Sequence, residues 1–464
     1  MATLPPGPSV PSLWQLLQWA YRPIPWMETC ARRYGETFTL RSPGSPPMVF
    51  TSDPTVIKQV FSGDPRQFHA GKANIFLKPF LGDNSLLVLD EKPHLRQRKL
   101  LLGPLHGERM QAYGETMRRI TDRVIDGWPL GRPFPLQDET QAITLDVILE
   151  TVFGMGSGAE QRQLRELLKR FINFGTGTPL AILMVRADGE IRGRRLQRAL
   201  GPLSPISAFE RLLAELDEAL YGEIHRRRGV GLETHEDVLA LLLGARDEAG
   251  QPMSDAEIRD QLLTLLSAGH ETTATALTFV VQSFLEHPEV LAEVRAEIER
   301  VVGAGDLVPR IGQLEYLDAT IKEALRLRPV APVVGRVLAE PMELGPWRLP
   351  AGVMVVPTIY LAHRRPEAWK DPERFDPRRF LDGKPTPAEY FPFGGGVRRC
   401  IGAAFATYEM KVVLGQLVRR TRLEAVPGYR PRMIRRSFTL ALDKGLPLIL
   451  AARDAAPPAH AAAS

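Results

Sequence analysis

The stretch FGGGVRRCIG, residues 393–402, places Cys400 between a glycine-rich loop and a run that is predicted to be helical. The following residues, IGAAFATYEMKVVLGQLVRR, carry apolar side chains at helical spacing. The sulfur of Cys400 would therefore lie near a helix N-terminus, where unpaired N–H groups and the helix dipole favour negative charge. The stretch predicts a place for a thiolate, which a metal ion could use as a ligand.

The same loop has features that suit a flat, partly anionic ligand. Gly394, Gly395 and Gly396 would let the backbone approach such a group closely, and Arg398 could reach its anionic edge. Two other interpretations of Cys400 are a small buried side chain without chemistry and the nucleophile of a hydrolase. The glycines lack the G-x-G-x-x-G spacing of a dinucleotide site.

Five positions in one spacing carry a family resemblance: Phe393, Gly396, Arg398, Cys400 and Gly402. The pattern resembles the haem-binding loop of the cytochrome P-450 family, the haem-thiolate monooxygenases. The resemblance implies a mainly α fold with small β-sheets (α+β), formed by one large helical domain over residues 1–464. It also implies that haem b lies between a long central helix and the Cys loop, bound non-covalently. Cys400 would be the metal ligand, with Phe393, Gly394, Arg398 and Gly402 as further cofactor contacts.

Composition is consistent with this expectation. The chain has 464 residues, of which 44% are hydrophobic and 24% charged, as in a globular protein with a large core. Cys30 and Cys400 are the two cysteines and lie far apart, which excludes a disulfide framework, a zinc knuckle and covalent haem attachment, and fits a reducing cytoplasm. A net charge of +5 without a compact basic cluster argues against nucleic acid as a partner.

No apolar run is long enough to span a membrane, and LPPGP, similar to the proline-rich hinge of membrane-bound relatives, begins at Leu4 with no anchor ahead of it. We therefore expect a soluble, cytoplasmic protein of the bacterial type. Residues 1–12 and 453–464 are rich in Pro, Ala and Ser, and they are predicted to be flexible tails.

Hydrophobic periodicity predicts mostly helix. A hairpin with a Pro-Gly turn is predicted at 35–50 and a strand at 352–358. Helices are predicted at about 54–61, 94–102, 109–127, 140–153, 159–174, 206–228, 235–246, 254–286, 288–302 and 315–327.

The longest helical pattern begins with a capping box of Ser254 and Glu257 and ends at His287-Pro288. Near its middle, residues 268–273 (AGHETT) match the family's oxygen-activating pattern of small residue, Gly, any residue, acid, Thr. The resemblance implies that Ala268 and Gly269 leave space over the haem and that Glu271 and Thr272 are catalytic. Thr272 could bond to the carbonyl of Ala268 or turn to hold a water, while Glu271 supplies protons. The alternative is a Thr-rich helix surface with one solvated acid.

A third pattern is Glu323-Ala-Leu-Arg326, which by itself indicates a surface ion pair. About fifty residues later, Pro372-Glu373-Arg374-Phe375 resembles the family's second arginine element. The resemblance implies a buried structural triad of Glu323, Arg326 and Arg374. The patterns at Thr272, Glu323/Arg326, Arg374 and Cys400 occur in the family's order along the chain.

The haem propionates require cations, and the resemblance points to His94, Arg98, Arg336 and Arg398. The alternative for His94 and Arg98 is an exposed basic helix face. By family position the substrate pocket is lined by segments 68–87 and 171–185, the long helix, residues 330–334 and Phe438. The pocket residues expected on this basis are Phe171, Ala268, Val330, Ala331, Val333, Val334 and Phe438.

A haem held by a cysteine thiolate implies monooxygenation, with O2 as co-substrate. The expected substrate is a lipophilic small molecule such as a fatty acid, terpenoid, steroid or macrolide. Electrons would come from a separate ferredoxin or flavodoxin with its NAD(P)H reductase, docked on a basic face that includes Arg96, Lys99 and Arg399. The chain is expected to be a monomer. A haem-binding carrier or gas sensor and a cysteine hydrolase are the alternatives.

Overall fold

The computed structural model describes residues 4–103, 109–154, 159–177, 201, 204–230, 237–436 and 439–454. Most of them are helical. The helices are α1 (Ser12–Tyr21), α2 (Pro23–Tyr34), α3 (Pro54–Ser62), α4 (Ala70–Ala73), α5 (Lys78–Leu81), α6 (Glu91–Leu102), α7 (Arg109–Asp126), α8 (Leu136–Phe153), α9 (Ala159–Gly177), α10 (Pro205–Val230), α11 (Val238–Gly244), α12 (Asp255–Glu286), α13 (Pro288–Val301), α14 (Glu315–Leu327), α15 (Ile359–Ala362), α16 (Arg379–Asp382) and α17 (Ala403–Arg420).

The strands are short and form small sheets. They are β1 (Thr37–Leu40), β2 (Met48–Thr51), β3 (Phe68–His69), β4 (Pro133–Pro135), β5 (Arg336–Leu338), β6 (Met342–Leu344), β7 (Trp347–Leu349), β8 (Met354–Pro357), β9 (Thr421–Ala425), β10 (Met433–Arg436), β11 (Thr439–Leu442) and β12 (Pro447–Arg453). The largest sheet has the order β1-β2-β8-β5-β3, and the smaller sheets pair β4-β12-β9, β6-β7 and β10-β11. The mainly α architecture with small sheets confirms the predicted fold class.

The predicted hairpin is β1 and β2, an antiparallel pair in which Thr37 lies opposite Thr51 and Leu40 opposite Met48. Its turn contains Gly44 with a φ of +68°, a backbone conformation that glycine adopts without strain. Strand β8 then adds to β2 in parallel. This sheet carries Arg336 on β5, which is one of the predicted propionate contacts.

The long helix α12 organises the rest of the molecule. Its capping box is formed, because the Ser254 hydroxyl accepts from the Glu257 N–H and the Glu257 carboxylate accepts from the Ser254 N–H. The helix has 32 residues, ends at His287 as predicted, and is about 48 Å long at 1.5 Å per residue. It packs against α8, α14 and α17. The helix that follows Cys400 therefore rests on the one that carries Glu271 and Thr272.

The predicted helices from residue 54 onward are present with small shifts of their ends, whereas α1 and α2 were not predicted. Residues before β1 are held by it: Thr39 donates its N–H to Pro6 O and its hydroxyl to Pro5 O, both at 2.8 Å. Strand β12 extends through Arg453. The flexible tails at 1–12 and 453–464 stay a prediction. Among the described residues, no helix is both long and apolar enough to cross a membrane.

Candidate cofactor and active site

Cys400 lies at the end of a tightly hydrogen-bonded loop. Its N–H donates to Phe393 O at 2.9 Å, and the Gly394 N–H donates to Phe391 O at 2.9 Å. A short 3-10 turn spans Gly396–Arg398, and α17 begins three residues after the cysteine, at Ala403. The thiol is exposed. The loop thus presents the sulfur at the head of a helix, as the sequence predicts.

The thiol of Cys400 experiences opposing influences. Desolvation by the surrounding protein raises its pKa, while the backbone N–H of Gly402 and the charges of Arg98 and Arg399 act to lower it. The net direction is upward, so the helix N-terminus alone does not make this group a thiolate. A metal ion would supply the missing positive charge, because coordination deprotonates a thiol outright.

The glycine run serves a purpose that the sequence analysis did not predict. A Cβ atom at Gly395 would lie 2.2 Å from the Phe61 side chain, and one at Gly396 would lie 2.1 Å from Phe61 O. Gly394 and Gly396 also have positive φ angles of +68° and +63°. These glycines therefore let the loop pack against the end of α3 and turn sharply. The close approach of this loop to a flat ligand stays a prediction.

The four predicted propionate contacts are brought together. His94 is 1% exposed on α6, and its pKa is lowered to about 3, first by burial and then by the charges of Arg398, Arg98 and Arg336. Burial and Arg398 also lower the pKa of Arg336 to about 10. Burial likewise lowers the pKa of Arg398 to about 10, although Asp90 opposes this shift. Together, His94, Arg98, Arg336 and Arg398 form the cation cluster.

Arg398 joins the Cys loop to the segment before α6. Its guanidinium donates to Leu86 O at 3.1 Å and to Leu89 O, and it pairs with Asp90 at 2.5 Å. The same segment is bonded to α12, where Asp260 accepts from Asn84 and the Thr264 hydroxyl donates to Ser85 Oγ at 2.7 Å. Residues 84–90 therefore bridge the long helix and the Cys loop.

Two observations test whether these residues fit haem. The buried Nδ1 of His94 has no hydrogen-bond partner among the described residues. Arg336 is 6% exposed, and its guanidinium is recorded with one hydrogen bond, to Gly335 O. Buried cations with unused donors fit a ligand that carries carboxylates, and a nearby thiol fits an iron centre. The cation cluster and Cys400 together match the donor set that haem needs.

One face of α12, the open face, is partly exposed near the middle of the helix, whereas the adjacent residues of the helix are buried. Leu265, Ala268, Gly269 and Thr272 are partly exposed at helical spacing, while His270, Glu271 and Thr273 are buried. The Thr272 hydroxyl donates to Ala268 O at 2.6 Å, which is one of the two predicted arrangements. A Cβ atom at Gly269 would lie 2.7 Å from Ile148 Cδ1 on α8, and the predicted space over a haem at this residue stays a prediction. The missing side chain of Gly269 lets α8 and α12 pack closely.

Glu271 is 6% exposed, and burial raises the pKa of its carboxyl group. Arg436 on β10 lowers that pKa in part, since its Nε lies 3.2 Å from Glu271 Oε1. This oxygen makes no hydrogen bond within the described chain, so the contact has ion-pair distance without hydrogen-bond alignment. Sequence reasoning missed Arg436, and no local pattern marks it. The acid is thus partly neutralised by a strand that lies about 165 residues away along the chain, a separation that the long connections of this fold allow.

The predicted pair on α14 is fully buried. Arg326 donates to both oxygens of Glu323 at 2.7 and 2.9 Å, and both side chains are 0% exposed. The third side chain is Arg379, whose Nε lies 3.2 Å from Glu323 Oε1. Arg374 is exposed and offers its backbone carbonyl to Arg326. The prediction of Arg374 is therefore corrected: Pro377-Arg378-Arg379-Phe380 repeats the Pro-x-Arg-Phe pattern five residues later, and this second copy supplies the triad.

His363 is a further positioning residue that the sequence did not reveal. Its carbonyl accepts from Arg326 Nη1 at 2.8 Å, its Nδ1 lies 3.3 Å from Arg326 O, and its Nε2 accepts from the Phe391 N–H at 2.9 Å. Burial lowers the pKa of this imidazole to about 3, so it is neutral. Through His363, the pair on α14 is linked directly to the start of the Cys loop.

The predicted pocket residues occupy different surroundings. Phe171 is buried and stacks on Phe209, with ring centroids 6.4 Å apart. Ala331 and Val334 are partly exposed and pack beside Phe391, and Val333 packs with the N-terminal helices. Val330 accepts a hydrogen bond from the Leu440 N–H on β11. Phe438 and part of segment 171–185 lie outside the described residues.

The predicted basic face is partly neutralised. Arg96 pairs with Asp247 at 2.6 Å and Glu257 at 2.5 Å, and Lys99 pairs with Glu248 at 2.5 Å. Arg399, next to the cysteine, is exposed. Of the three predicted cations, Arg399 is therefore the one that no acid in the described residues neutralises.

Comparisons with known proteins agree with this geometry. The family model described as cytochrome P450 matches residues 4–449. Cytochrome P450 135B1 of Mycobacterium tuberculosis is 41% identical over 436 residues, which cover 93% of this chain and 88% of that protein. Cytochrome P450 137 of the same species is 36% identical and covers 89% of this chain and 83% of its own length.

Two solved structures share the fold. Retinoic acid-bound cyanobacterial CYP120A1 has a TM-score of 0.80 at 24% identity, with 97% of this chain and 99% of that chain covered. The haem domain of cytochrome P450DA has a TM-score of 0.83 at 24% identity, with 98% of each chain covered.

Proposed function

Because this chain belongs to the cytochrome P450 family of haem monooxygenases, we propose that it inserts one oxygen atom of O2 into a lipophilic small molecule, and that the sulfur of Cys400 would hold the iron of haem b. The observation that carries the proposal is the convergence of an exposed thiol, the cation cluster and the open face of α12. Residues 84–90 connect these three parts through Arg398, Asn84 and Ser85.

When bound, haem would supply the redox chemistry that activates dioxygen and transfers one oxygen atom to the substrate. The cation cluster would hold its carboxylates. Arg336 and Arg398 offer guanidinium donors, and neutral His94 offers one ring N–H. The N–H of Gly402 is directed at the sulfur of Cys400 and would moderate its electron donation.

Proton delivery is assigned to Glu271 and Thr272. A carboxyl group whose pKa is raised by burial retains a proton nearer to neutral pH and can act as a donor. The Thr272 hydroxyl, which donates to Ala268 O, can accept a hydrogen bond from a water on the open face of α12 while it keeps that bond. The substrate would lie against Ala268 on this face, with Ala331 and Val334 as further wall residues.

Electrons are proposed to come from a separate ferredoxin or flavodoxin and its NAD(P)H reductase. Arg399 and Val397, which precede Cys400 in the chain by one and three residues, are both exposed. Because the acids at Asp247, Glu248 and Glu257 neutralise Arg96 and Lys99, we assign the docking charge to Arg399.

The decisive measurement is the carbon monoxide spectrum of the reduced protein. The native chain is expected to show the red-shifted band of a thiolate-ligated haem, and Cys400→His to lose that band while still binding haem. Cys30→Ser is the matched control, since Cys30 is buried in a separate cluster. An unchanged band in Cys400→His would remove this cysteine from the iron.

The substrate class is tested by titration of the haem-loaded protein with a library of lipophilic compounds. Binding beside the haem is expected to shift the Soret band, and compounds that shift it are then assayed for oxygenated product with redox proteins supplied. Haem binding with neither shifts nor turnover across such a library would favour the carrier or gas-sensor alternative.

A further inference from the structure

The exposed apolar surface of the molecule is concentrated on α1. Of the ten large hydrophobic side chains that are exposed in the described residues, six lie between residues 10 and 21: Val10, Leu13, Trp14, Leu16, Leu17 and Tyr21. Leu13 is 59% exposed and Tyr21 78%. Helix α1, SLWQLLQWAY, contains no charged residue. Scattered exposed hydrophobic residues are normal, but a cluster of this kind marks an interaction surface.

These residues form one face of the helix. Val10, Leu13, Trp14, Leu17 and Tyr21 follow the spacing at which side chains share a side of an α-helix. We call this set, together with Leu16, the α1 face. The helix is inverted relative to an ordinary surface helix, because its polar Gln15 is directed inward while most of its apolar side chains are exposed. Trp14 keeps one edge contact with the body of the protein, to Trp26, with ring centroids 5.2 Å apart.

Gln15 fixes this orientation. It is 2% exposed, its Nε2 donates to Val10 O at 2.8 Å, and its Oε1 accepts from the Arg41 N–H at 2.9 Å. On the inner side, Trp19 packs edge-on against Phe50, with centroids 5.2 Å apart. The outward direction of the α1 face is therefore held by buried hydrogen bonds and by packing.

The rim of the α1 face is positively charged. Arg22 is the one charged residue among the first 27 positions, and the first acid is Glu28. Arg22 and Arg41 are both exposed and make no ion pair within the described parts of the chain. An apolar face on a helix without acids, edged by cations, is complementary to a negatively charged surface that has an apolar interior.

We propose that the α1 face docks on an anionic lipid bilayer, with α1 lying in the plane of the interface. Leucines would enter the acyl boundary, Trp14 and Tyr21 would lie at headgroup level, and Arg22 and Arg41 would contact lipid phosphates. A helix of 10 residues is about 15 Å long, too short to span a bilayer. A second copy of this chain fits less well, because a symmetric contact would bring the exposed Arg22 and Arg41 of the two copies together, and the α1 face carries no acid to balance them.

The α1 face also lies close to the proposed active site. Helix α1 packs on β10, where Ile434 is 42% exposed and Arg435 donates to Trp19 O at 3.0 Å. The next residue, Arg436, contacts Glu271. Lipid binding itself does not depend on the proposed monooxygenase activity; delivery of a lipophilic substrate from the bilayer does rest on it.

The test uses the full-length, haem-loaded protein and sedimentation with vesicles of phosphatidylcholine alone or mixed with phosphatidylglycerol. Binding is expected with the mixed vesicles and to weaken as salt is raised. Leu13→Ser combined with Leu17→Ser should reduce the partition coefficient about a hundredfold, since two partly buried leucines lose their apolar contact. Leu130→Ser combined with Leu381→Ser, at exposed leucines elsewhere, is the matched control and should bind as the native chain does.

A second measurement locates the contact. Brominated lipids should quench the fluorescence of Trp14, and Trp14→Phe should remove that quenching while binding is retained. Sedimentation velocity without lipid records the oligomeric state of each variant.

The proposal is overturned by any of three results: no binding to mixed vesicles, equal binding of the Leu13/Leu17 variant, or a native dimer that this variant converts to monomer. The last result would assign the α1 face to a second copy. A normal carbon monoxide spectrum alongside absent lipid binding would reject the lipid surface and leave the proposed function intact.

Discussion

Two buried polar regions flank the Cys loop, and they are built in opposite ways. Around Glu323 and Arg326, the charged groups bond to one another, to Arg379, and to the carbonyls of His363 and Pro372. In the cation cluster, by contrast, His94 Nδ1 lacks a partner among the described residues, and the pKa values of His94 and Arg336 are displaced. In the first region, the hydrogen bonds of the charged groups are satisfied within the protein. The second region has hydrogen-bond donors left for another group. Burial alone therefore does not separate structural from functional charges; the state of their hydrogen bonds does.

The largest effect is expected at Glu323. Glu323→Ala should strand Arg326 without its carboxylate and lower the free energy of unfolding by about 3–5 kcal/mol, measured by urea denaturation. Arg379→Ala should destabilise less, because Arg379 is partly exposed. Arg374→Ala is the matched control and should change stability by less than about 0.5 kcal/mol. Equal effects of the two arginine variants would restore Arg374 to the triad.

In the haem-free protein, removal of a charge from the cation cluster should raise the free energy of unfolding, whereas removal of Glu323 lowers it. Arg336→Met removes a buried charge that lacks a carboxylate partner, so the haem-free protein should become more stable by about 1–3 kcal/mol. The same variant should lose haem faster, as followed by transfer of haem to an apo-acceptor protein. A less stable apo-protein together with unchanged haem release would show that Arg336 belongs with the fully hydrogen-bonded region around Glu323.

The ion pair of Glu271 and Arg436 is intermediate between the fully hydrogen-bonded region around Glu323 and the cation cluster. Arg436→Gln removes the charge that lowers the pKa of Glu271, so this pKa should rise further. The protonated carboxyl would then persist to higher pH, and product formed per NAD(P)H consumed should decline at correspondingly higher pH. An infrared titration of the carboxyl band that Glu271→Gln abolishes reports the shift directly. Arg436→Lys retains the charge and should leave the titration near that of the native chain.

The last prediction concerns His363, whose effect is absent near neutral pH and is seen only in acid. Because burial lowers the pKa of this imidazole from 6.5 to about 3, the unfolded chain binds a proton that the folded chain does not. The stability contributed by neutral His363 is therefore complete above pH 6.5 and is lost as the pH falls toward 3. His363→Gln, which can still accept from the Phe391 N–H, should reduce this slope by about 1.4 kcal/mol per pH unit. An unchanged slope would place the acid sensitivity at His94 or His270.

The sequence predicted the parts of the site whose chemistry is local. The capping box of α12, the Glu-x-x-Arg spacing and the position of Cys400 before a helix all depend on neighbours within a few residues. The four residues of the cation cluster, three arginines and the neutral His94, were also found, but through the family resemblance and not through spacing. Local geometry and motif order were sufficient for these residues.

Pairings across long distances in the chain could not be predicted. The two Pro-x-Arg-Phe stretches match the pattern equally well in the sequence. Only the distance from each arginine to Glu323 in the folded protein shows that Arg379, and not Arg374, joins the triad. The space at Gly395, Gly396 and Gly269 is filled by Phe61 and Ile148, which no local pattern indicates. Helices α1 and α2 were both missed. In α1 the polar residue is directed inward, so the periodicity that marks an amphipathic surface helix is reversed.

Two consecutive arginines on β10 connect the α1 face with the proposed active site. Arg435 is bonded to Trp19 on α1, and Arg436 is paired with Glu271. If lipid attachment moves this strand and thereby changes the proton affinity of Glu271, reciprocity requires that protonation of Glu271 change the affinity for lipid by the same factor. Strand β10 would then couple the pKa of Glu271 to the affinity of the enzyme for a bilayer, so that a change in either one would change the other.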